Sequence, residues 1–490
     1  MTGFGAVAAW TGPALAVVLA GRVARGDADA PLLVLVAAVA PLVALLAFAR
    51  RAPAPARSIA AAVRLACAGL LTGASLLAAG DVASALGAAR WQGVVVAGAL
   101  AALPALLPGT RWSLLLPLGL AALAGATLVV GAATHLPPWR AWAESAARPA
   151  FRFAAGGAWV DGGGRVDRRT TVEFAEGQRV TAMAPGSFRV VEREQTQTTT
   201  RDWRLAAGDT LTLRPGDRLT LEAGARVRFE VGARVPGAPI SGAAWADPAE
   251  RGRPQRLVVW LGAFVTLVVG AAALAISDAL PRDAFTRDAL TRVDGLTAIA
   301  SAFALPLAAA CWGIYAAATP EHLLGGADGA VFAGLPPQAA SSGGAVVTAL
   351  ACGGLVALLL AATHALLGRL AGPLGPRRGM AWLGVVVAAG VGALWPFDPW
   401  RALMLGWGLS AAAWAAPALG ARDAVSATAG AWTGALAWAA LAGLDLRGGL
   451  PPWAVGLGEA PALVAAPLAW LVARAVGAWR VGKGQGPLTQ

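Results

Sequence analysis

The ionisable residues that could support catalysis in this chain lie in segments between apolar stretches, and hardly any lie within them. A carboxylate held beside a histidine or an arginine could act as a general base. A polar cleft of this kind could form on the outer face of a membrane, although no motif identifies the catalytic residues. Its candidate catalytic residues are His135, Glu321, His322, Asp328, Asp398 and Arg401. These residues come from distant loops, so the cleft requires a fold that brings the loops together.

Other catalytic and metal-binding signatures are missing from the sequence. It contains no Walker A loop, GxSxG elbow, HExxH pair or GxGxxG dinucleotide signature. Cys67, Cys311 and Cys352 lie in apolar stretches without CxxC spacing, which argues against zinc or a disulfide framework. His135 and His322 lie near tryptophans and are similar in this to the histidines of haem-handling assembly proteins, but the WGxxW motif is absent. We therefore predict no metal and no cofactor.

The elements that must position these residues are mostly apolar. The composition is 57% hydrophobic and 13% charged, whereas soluble domains have about 25% charged residues. Apolar stretches of about 17–25 residues can cross a bilayer as helices. We predict about twelve: 4–21, 31–49, 58–79, 92–108, 113–135, 257–277, 295–318, 344–367, 380–395, 401–417, 424–443 and 453–476. Their interiors carry almost no charge, which argues against a proton relay or charge-coupled transport.

Arginines in the loops predict an orientation for these helices. If the N-terminus is inside, most loop arginines fall on the cytoplasmic side, as the positive-inside rule requires. Both termini are then cytoplasmic, and the polar block 139–256 is extracytoplasmic. Abundant Ala and Gly with a single lysine, Lys483, are typical of high-GC coding. We interpret the chain as a protein of a bacterial inner (cytoplasmic) membrane. Arg64 lies about two turns inside the third stretch, and we expect its side chain to snorkel to the interface.

The polar block contains no His and no Cys, and its alternation of apolar and polar residues predicts β-strands. An eight-residue echo runs through GDTLTLRP (208–215), GDRLTLEA (216–223) and GARVRFEV (224–231). We predict that these three strands form a meander, and that the block closes a small sandwich or barrel. Four arginines could bind anionic lipid head groups or an acidic partner: Arg168, Arg169, Arg226 and Arg228.

The predicted fold class is therefore an all-α polytopic membrane bundle with an inserted all-β extracytoplasmic domain. It comprises a membrane region at 1–138, a β-rich domain at 139–256, a second membrane region at 257–478 and a cytoplasmic tail at 479–490.

One loop carries a resemblance to a known family. GLPPQAASSGGAVVTALACGGL (334–355) places a Pro-x-x-x-Ser-x-Gly-Gly run at the start of a helix. This run resembles the outer loop of the SEDS glycosyltransferases, which polymerise peptidoglycan. The resemblance covers about 20 residues, and about four predicted helices follow the run here, whereas in that family it precedes the last helix. It implies an outer-face transferase acting on a lipid-linked sugar, with Glu321 or Asp328 as the base.

Three functions remain open on this sequence. We favour an integral membrane scaffold, an accessory subunit of a larger cell-envelope complex whose β domain binds a protein partner outside the bilayer. The alternatives are the outer-face transferase and a passive transporter or lipid flippase. Small-residue-rich helices suit a scaffold, because Ala and Gly let helices approach closely within and between subunits. Membrane lipids are expected partners, structural lipids included. Nucleic acid is not expected, since the arginines lie in loops and in the polar block and not on one helical face.

Overall fold

The computed structural model describes most of the chain. The described ranges are 12–24, 30–48, 55–86, 88–108, 112–134, 137–140, 150–153, 157–160, 163–166, 169–174, 177–194, 197–222, 224–229, 233–234, 257–275, 293–317, 342–370, 374–394, 398–447 and 460–483.

A helix overlaps each of the twelve apolar stretches that the sequence singles out. Within the described ranges the helices are α1 (Pro13–Ala24), α2 (Ala30–Phe48), α3 (Arg57–Ala85), α4 (Arg90–Leu106), α5 (Leu115–Thr134), α6 (Leu257–Ala275), α7 (Val293–Ala317), α8 (Ser342–Arg369), α9 (Arg378–Ala393), α10 (Pro399–Gly420), α11 (Ala424–Leu446) and α12 (Ala462–Gly482). Five of them are long and apolar enough to cross a membrane: α3, α5, α8, α10 and α12. The chain is therefore a helical protein with the character of a membrane protein.

The last helix begins later than its apolar stretch predicts. We expected a helix at 453–476, whereas α12 spans Ala462–Gly482. Pro461 occupies the N-cap position, where its fixed φ suits a helix start and its missing N–H costs nothing. Arg474 and Arg480 are consequently helical, and the helix crosses the boundary that we predicted at 478.

Helix α10 lies at the centre of the bundle, because 94% of its 18-residue apolar window is buried. Glycines let the neighbouring helices approach it closely. A Cβ at Gly434 of α11 would collide with the backbone oxygen of Ala412, and a Cβ at Gly406 would lie 3.0 Å from Leu71 of α3. Small residues at such crossings replace the hydrophobic driving force that lipid does not supply.

A π-helical turn at Ala411–Ala415 interrupts α10. The α-helix resumes at Ala416–Gly420 with Pro417 near its start. Proline cannot donate to the carbonyl four residues earlier, and π-turns are one way in which a helix absorbs such a lost bond. Trp414, within this π-helical turn, lies in the interior and is 5% exposed.

The polar block forms a small antiparallel sheet region. Its strands are β1 (Ala150–Phe153), β2 (Gly157–Val160), β3 (Gly163–Val166), β4 (Thr170–Phe174), β5 (Gln178–Ala182), β6 (Gly186–Glu194), β7 (Gln197–Leu205), β8 (Thr210–Leu213), β9 (Arg218–Leu221), β10 (Arg226–Phe229) and β11 (Ala233–Arg234). One sheet has the order β1-β2-β3-β10-β5-β8, and the other has the order β11-β4-β9-β6-β7.

The two sheets share one apolar core, as facing sheets do. Phe174 and Phe188 of the five-stranded sheet belong to the same buried cluster as Val180 and Phe229 of the six-stranded sheet. The rings of Phe174 and Phe229 have centroids 6.0 Å apart, which joins the two sheets directly.

The eight-residue echo corresponds to a four-residue strand followed by a four-residue turn. In the turn Arg214–Pro215–Gly216–Asp217, the Asp217 N–H donates to the Arg214 carbonyl at 3.1 Å, and Gly216 has φ 88°. Proline at the second position and a left-handed glycine at the third are the requirements of a type II turn. The Asp217 carboxylate also accepts the Arg214 N–H at 2.7 Å.

The predicted three-strand meander is wrong. Strands β8 and β10 both pair with β5 in one sheet, whereas β9 pairs with β4 and β6 in the other. Each turn therefore moves the chain to the opposite sheet. This arrangement directs Leu213, Leu219 and Val227 into one core from two sides, whereas a meander would place all three on one sheet.

Candidate functional site

Two of the six predicted cleft residues, Asp398 and Arg401, lie in the described part of the chain. Both belong to the start of α10. The Asp398 carboxylate caps that helix by accepting the Trp400 N–H at 3.0 Å, and Arg401 forms an ion pair with Asp445 near the end of α11. Each thus has a structural partner. His135, Glu321, His322 and Asp328 lie outside the described residues, so the predicted convergence of the six is not tested.

The same end of the bundle holds further paired charges. The guanidinium of Arg22, at the end of α1, lies 4.5 Å from the Trp400 ring centroid. Arg90, at the start of α4, lies 3.3 Å from the Asp81 carboxylate. Pairing offsets part of the cost of removing these charges from water. This end therefore forms a polar layer that ties helices together.

The opposite end of the bundle is joined by a capping network around Asp423. The Asp423 carboxylate accepts the Ser426 N–H at 2.7 Å and lies 3.2 Å from Arg480. The bond from the Ser426 backbone, followed by a Ser426 hydroxyl bond and the Arg480 charge, lowers the pKa of this carboxyl although partial burial raises it. Nearby, the Ala56 N–H donates to Thr428 Oγ1 at 2.8 Å, which links α3 to α11.

Arg64 behaves differently from the sequence prediction of a side chain that snorkels to the membrane surface. Its Nη1 donates to the Arg369 carbonyl at 3.0 Å, and its guanidinium stacks 4.3 Å from the Trp414 ring. Arg369 is the last residue of α8, whose terminal carbonyls lack helical partners. Arg64 thus caps α8 beside a small cavity of about 40 Å³, which Cys67 and Ser410 also line. No sequence signal links residues so far apart.

In the β region, β7 is an edge strand that pairs with β6 over nine residues. Residues 199–204 of β7 are all exposed, so neither of its faces is covered there. Ion pairs hold it against β6: Arg189 Nε lies 2.8 Å from Asp202, and Arg201 lies 3.7 Å from Glu192. The hydrogen bond from Arg189 lowers the pKa of the Asp202 carboxyl.

Trp203 is the large apolar residue of this strand. It pairs directly with Phe188 of β6, and residues directly opposite in an antiparallel pair project from the same face. Phe188 is 1% exposed in the core, whereas Trp203 is 38% exposed. The five-stranded sheet therefore extends by one strand beyond the cover that the other sheet provides. Sequence reasoning missed this residue, although a tryptophan within a Thr- and Arg-rich strand was a usable signal.

Of the four arginines predicted to bind lipid or a partner, the three that the structure describes do not belong to one sheet. Arg226 and Arg228 alternate with buried Val227 on β10, which places them on the outer face of the six-stranded sheet. Arg169 precedes β4 of the other sheet and lies 3.4 Å from Glu222. Arg168 lies outside the described residues. The described positions therefore give no common patch across the two sheets.

Comparisons with known proteins supply no relative. The chain matches no known family model, and neither a curated protein nor a solved structure shows significant similarity to it. Within the described ranges, no group of three His, Cys, Asp or Glu side chains could hold a metal ion. The exposed edge strand β7 is consequently the site with the most definite geometry.

Proposed function

We propose that this chain is an integral membrane scaffold, an accessory subunit of a larger cell-envelope complex whose β domain binds a partner outside the bilayer. The observation that carries the proposal is β7, a nine-residue edge strand exposed on both faces from 199 to 204. Exposed, regular edge strands are liabilities that proteins normally shorten, twist or cover. A partner that supplies the cover explains why this one is long.

The binding mode that suits β7 is addition of a strand from the partner. An extended segment would pair its backbone with the free edge, while side-chain pockets would give specificity. Trp203 would then be the anchor, because tryptophans at the centre of interfaces are frequent hot spots. A flanking pair, Arg189 with Asp202, keeps β7 rigid and lowers the entropy lost on binding.

The packing around α10, the central helix, favours a scaffold over a transporter with a path along that helix. Helix α10 occupies the centre and is 94% buried over its apolar window, and the cavity beside it holds only about 40 Å³. The described helices thus leave little room for a substrate path along α10. Apolar outward surfaces such as Leu128, 74% exposed, suit contacts with structural lipids or with other subunits.

The proposal includes a topology: about twelve spans, both termini cytoplasmic, and the β domain on the outer side of a bacterial inner membrane. Side-chain pairs support it. Arg401 with Asp445 and Arg22 with Trp400 join segments that the arginine rule assigns to the outside. Asp423 with Arg480 joins segments that it assigns to the inside. Loss of one span between two such partners would place them on opposite sides of the membrane.

Native purification with matched edge variants tests this function. The full chain, tagged and extracted in mild detergent, should retain a stoichiometric protein partner. Trp203→Lys should lower partner recovery at least about ten-fold, the effect of losing 1.4 kcal/mol. Thr212→Lys, on the edge strand β8 of the other sheet, is the control and should retain the partner. Equal recovery with both variants, or a chain that purifies alone from native membranes, would contradict the proposal.

A further inference from the structure

An apolar cavity of about 170 Å³ lies between α1, α3, α4 and α8. Val17, Ala79, Ala97 and Leu355 are among the side chains that line it, one from each helix. The polar lining residue Ser75 donates its hydroxyl to the Leu71 carbonyl at 3.1 Å within α3. The proton of that hydroxyl is therefore already in a hydrogen bond within α3. The surface that the cavity presents to a ligand is almost entirely hydrocarbon.

The cavity opens sideways, toward the surroundings of the bundle. Val96 and Val356, both in its lining, are 59% and 37% exposed, and Leu86 is 48% exposed. Helices α3 and α8 are two of the five helices long and apolar enough to cross a membrane. The medium beside these exposed side chains is consequently lipid hydrocarbon and not water.

Small residues create the space. Where α3 and α4 cross, a Cβ at Gly93 would lie 2.5 Å from Ala83 Cβ, so the two helices are already in contact. Alanines at 79 and 97 line the cavity next to this crossing. Helices α3 and α4 therefore cannot approach each other more closely, and their short side chains leave the cavity volume unfilled.

We propose that this cavity binds the end of one hydrocarbon chain of a membrane lipid. A void deprives its lining atoms of dispersion contacts, and a chain end restores them. Dry apolar cavities of about 150 Å³ accept benzene, so 170 Å³ suffices for several methylene groups. Water is disfavoured, because a buried water needs two to four polar partners. The bound chain would hold one lipid at this position for longer than lipids remain elsewhere on the surface.

Photo-crosslinking in nanodiscs tests the site. The full chain is reconstituted with a trace of phosphatidylethanolamine that carries a diazirine near the end of one acyl chain, irradiated, and mapped by mass spectrometry. We expect adducts at residues 352–359 to exceed those around Leu128, on the exposed face of α5, about five-fold. That ratio corresponds to about 1 kcal/mol.

Two filling variants keep the result decisive. Ala97→Phe fills the cavity from a buried position, and Val96→Trp closes its rim from an exposed one, so the second variant tests the site even if the first does not fold. Both should reduce adducts at 352–359 to the level found around Leu128, whereas Ala124→Phe on the exposed face of α5 should not. The proposal would be overturned if labelling at 352–359 equalled labelling around Leu128. It would also be overturned if neither filling variant reduced the labelling at 352–359.

Cys352 gives an independent readout because it lines the cavity, whereas Cys311 on α7 does not. An apolar maleimide should modify Cys352 faster in delipidated detergent than after phospholipid is restored. Cys311, which is also partly buried, should show a smaller ratio. Equal lipid protection of both thiols would contradict a chain bound at this cavity.

Discussion

Phe188 of β6 and Trp203 of β7 face each other across the same side of the five-stranded sheet, yet only Phe188 is covered. The second sheet ends before it reaches Trp203. Trp203 thus lies on the inner face of the sheet but outside the covered core. An aromatic residue in this position can contact a partner that docks on the edge strand. Phe188 therefore stabilises the fold, whereas Trp203 is available to bind a partner.

Truncation at these two positions should have unequal effects on stability. Phe188→Ala should lower the free energy of unfolding of the β region by about 3–5 kcal/mol, as for other buried aromatic residues. Trp203→Ala should cost clearly less than Phe188→Ala, because 38% of the Trp203 surface is already exposed. Proteolysis of the β region in the full chain, followed against denaturant, measures both. Equal destabilisation would show that Trp203 belongs to the core.

The stacking of Arg64 on Trp414 should contribute to stability because the pair lies inside the bundle. A double-mutant cycle with Arg64→Met and Trp414→Leu should give a coupling energy of about 1–2 kcal/mol. Arg474 and Trp470 on α12 provide a matched control, since their separation is 5.4 Å and Arg474 is exposed. Their coupling should stay below about 0.5–1 kcal/mol. Thermal unfolding in detergent measures both cycles, and a larger coupling for the exposed pair would refute the assignment.

Loss of the α11 cap should be visible and should depend on pH. Asp423→Ala should destabilise the protein by about 1 kcal/mol at neutral pH, and Asp423→Asn by less, because asparagine also caps helices. The folded-state pKa of Asp423 is lowered, so its charge contributes stability above the unfolded value of about 3.9. That contribution is lost as the pH falls below about 4 and through the folded pKa. A wild-type minus Asp423→Asn difference that grows on acidification would contradict this sign.

Close approach at Gly434 should make that position intolerant of a methyl group. Gly434→Ala places a Cβ against the Ala412 carbonyl, and we expect a loss of about 1–3 kcal/mol, as in other overpacked interiors. Gly443 lies in the same helix with nothing within 4 Å of a Cβ, so Gly443→Ala should be neutral or stabilising by up to about 1 kcal/mol. The thermal midpoint of Gly434→Ala should therefore fall, whereas that of Gly443→Ala should stay unchanged or rise. A neutral Gly434→Ala would show that the helices pack less closely.

The helices of this chain could be predicted from the sequence because apolar run length reports them directly. Each predicted stretch overlaps a helix in the described ranges, and the shift of α12 to Ala462 has a local cause in Pro461. The positions of the three strands in the eight-residue echo could also be predicted from the sequence. Their distribution over two sheets could not, because alternation reports which face of a strand is apolar and not which strand lies beside it.

The contacts that define the candidate sites could not be predicted from patterns along the sequence. Arg64 and Trp414 are separated by most of the chain, and Trp414 lies in the π-helical turn of α10, which no sequence pattern predicted. The exposure of Trp203 depends on where the opposite sheet ends, which no local pattern encodes. The sequence offered Asp398 and Arg401 as candidate site residues, but it could not reveal that Asp398 caps a helix and that Arg401 pairs with Asp445.

The central claim, that β7 binds a partner outside the bilayer, is tested most directly by site-specific photo-crosslinking in native membranes. A photoreactive residue replaces Trp203 in one variant and Arg218 in a second. Arg218 is an exposed position on β9, an inner strand of the same sheet. We predict a discrete adduct of one molecular mass from position 203 and none from position 218. Absence of an adduct at 203, or the same adducts from both positions, would contradict the claim.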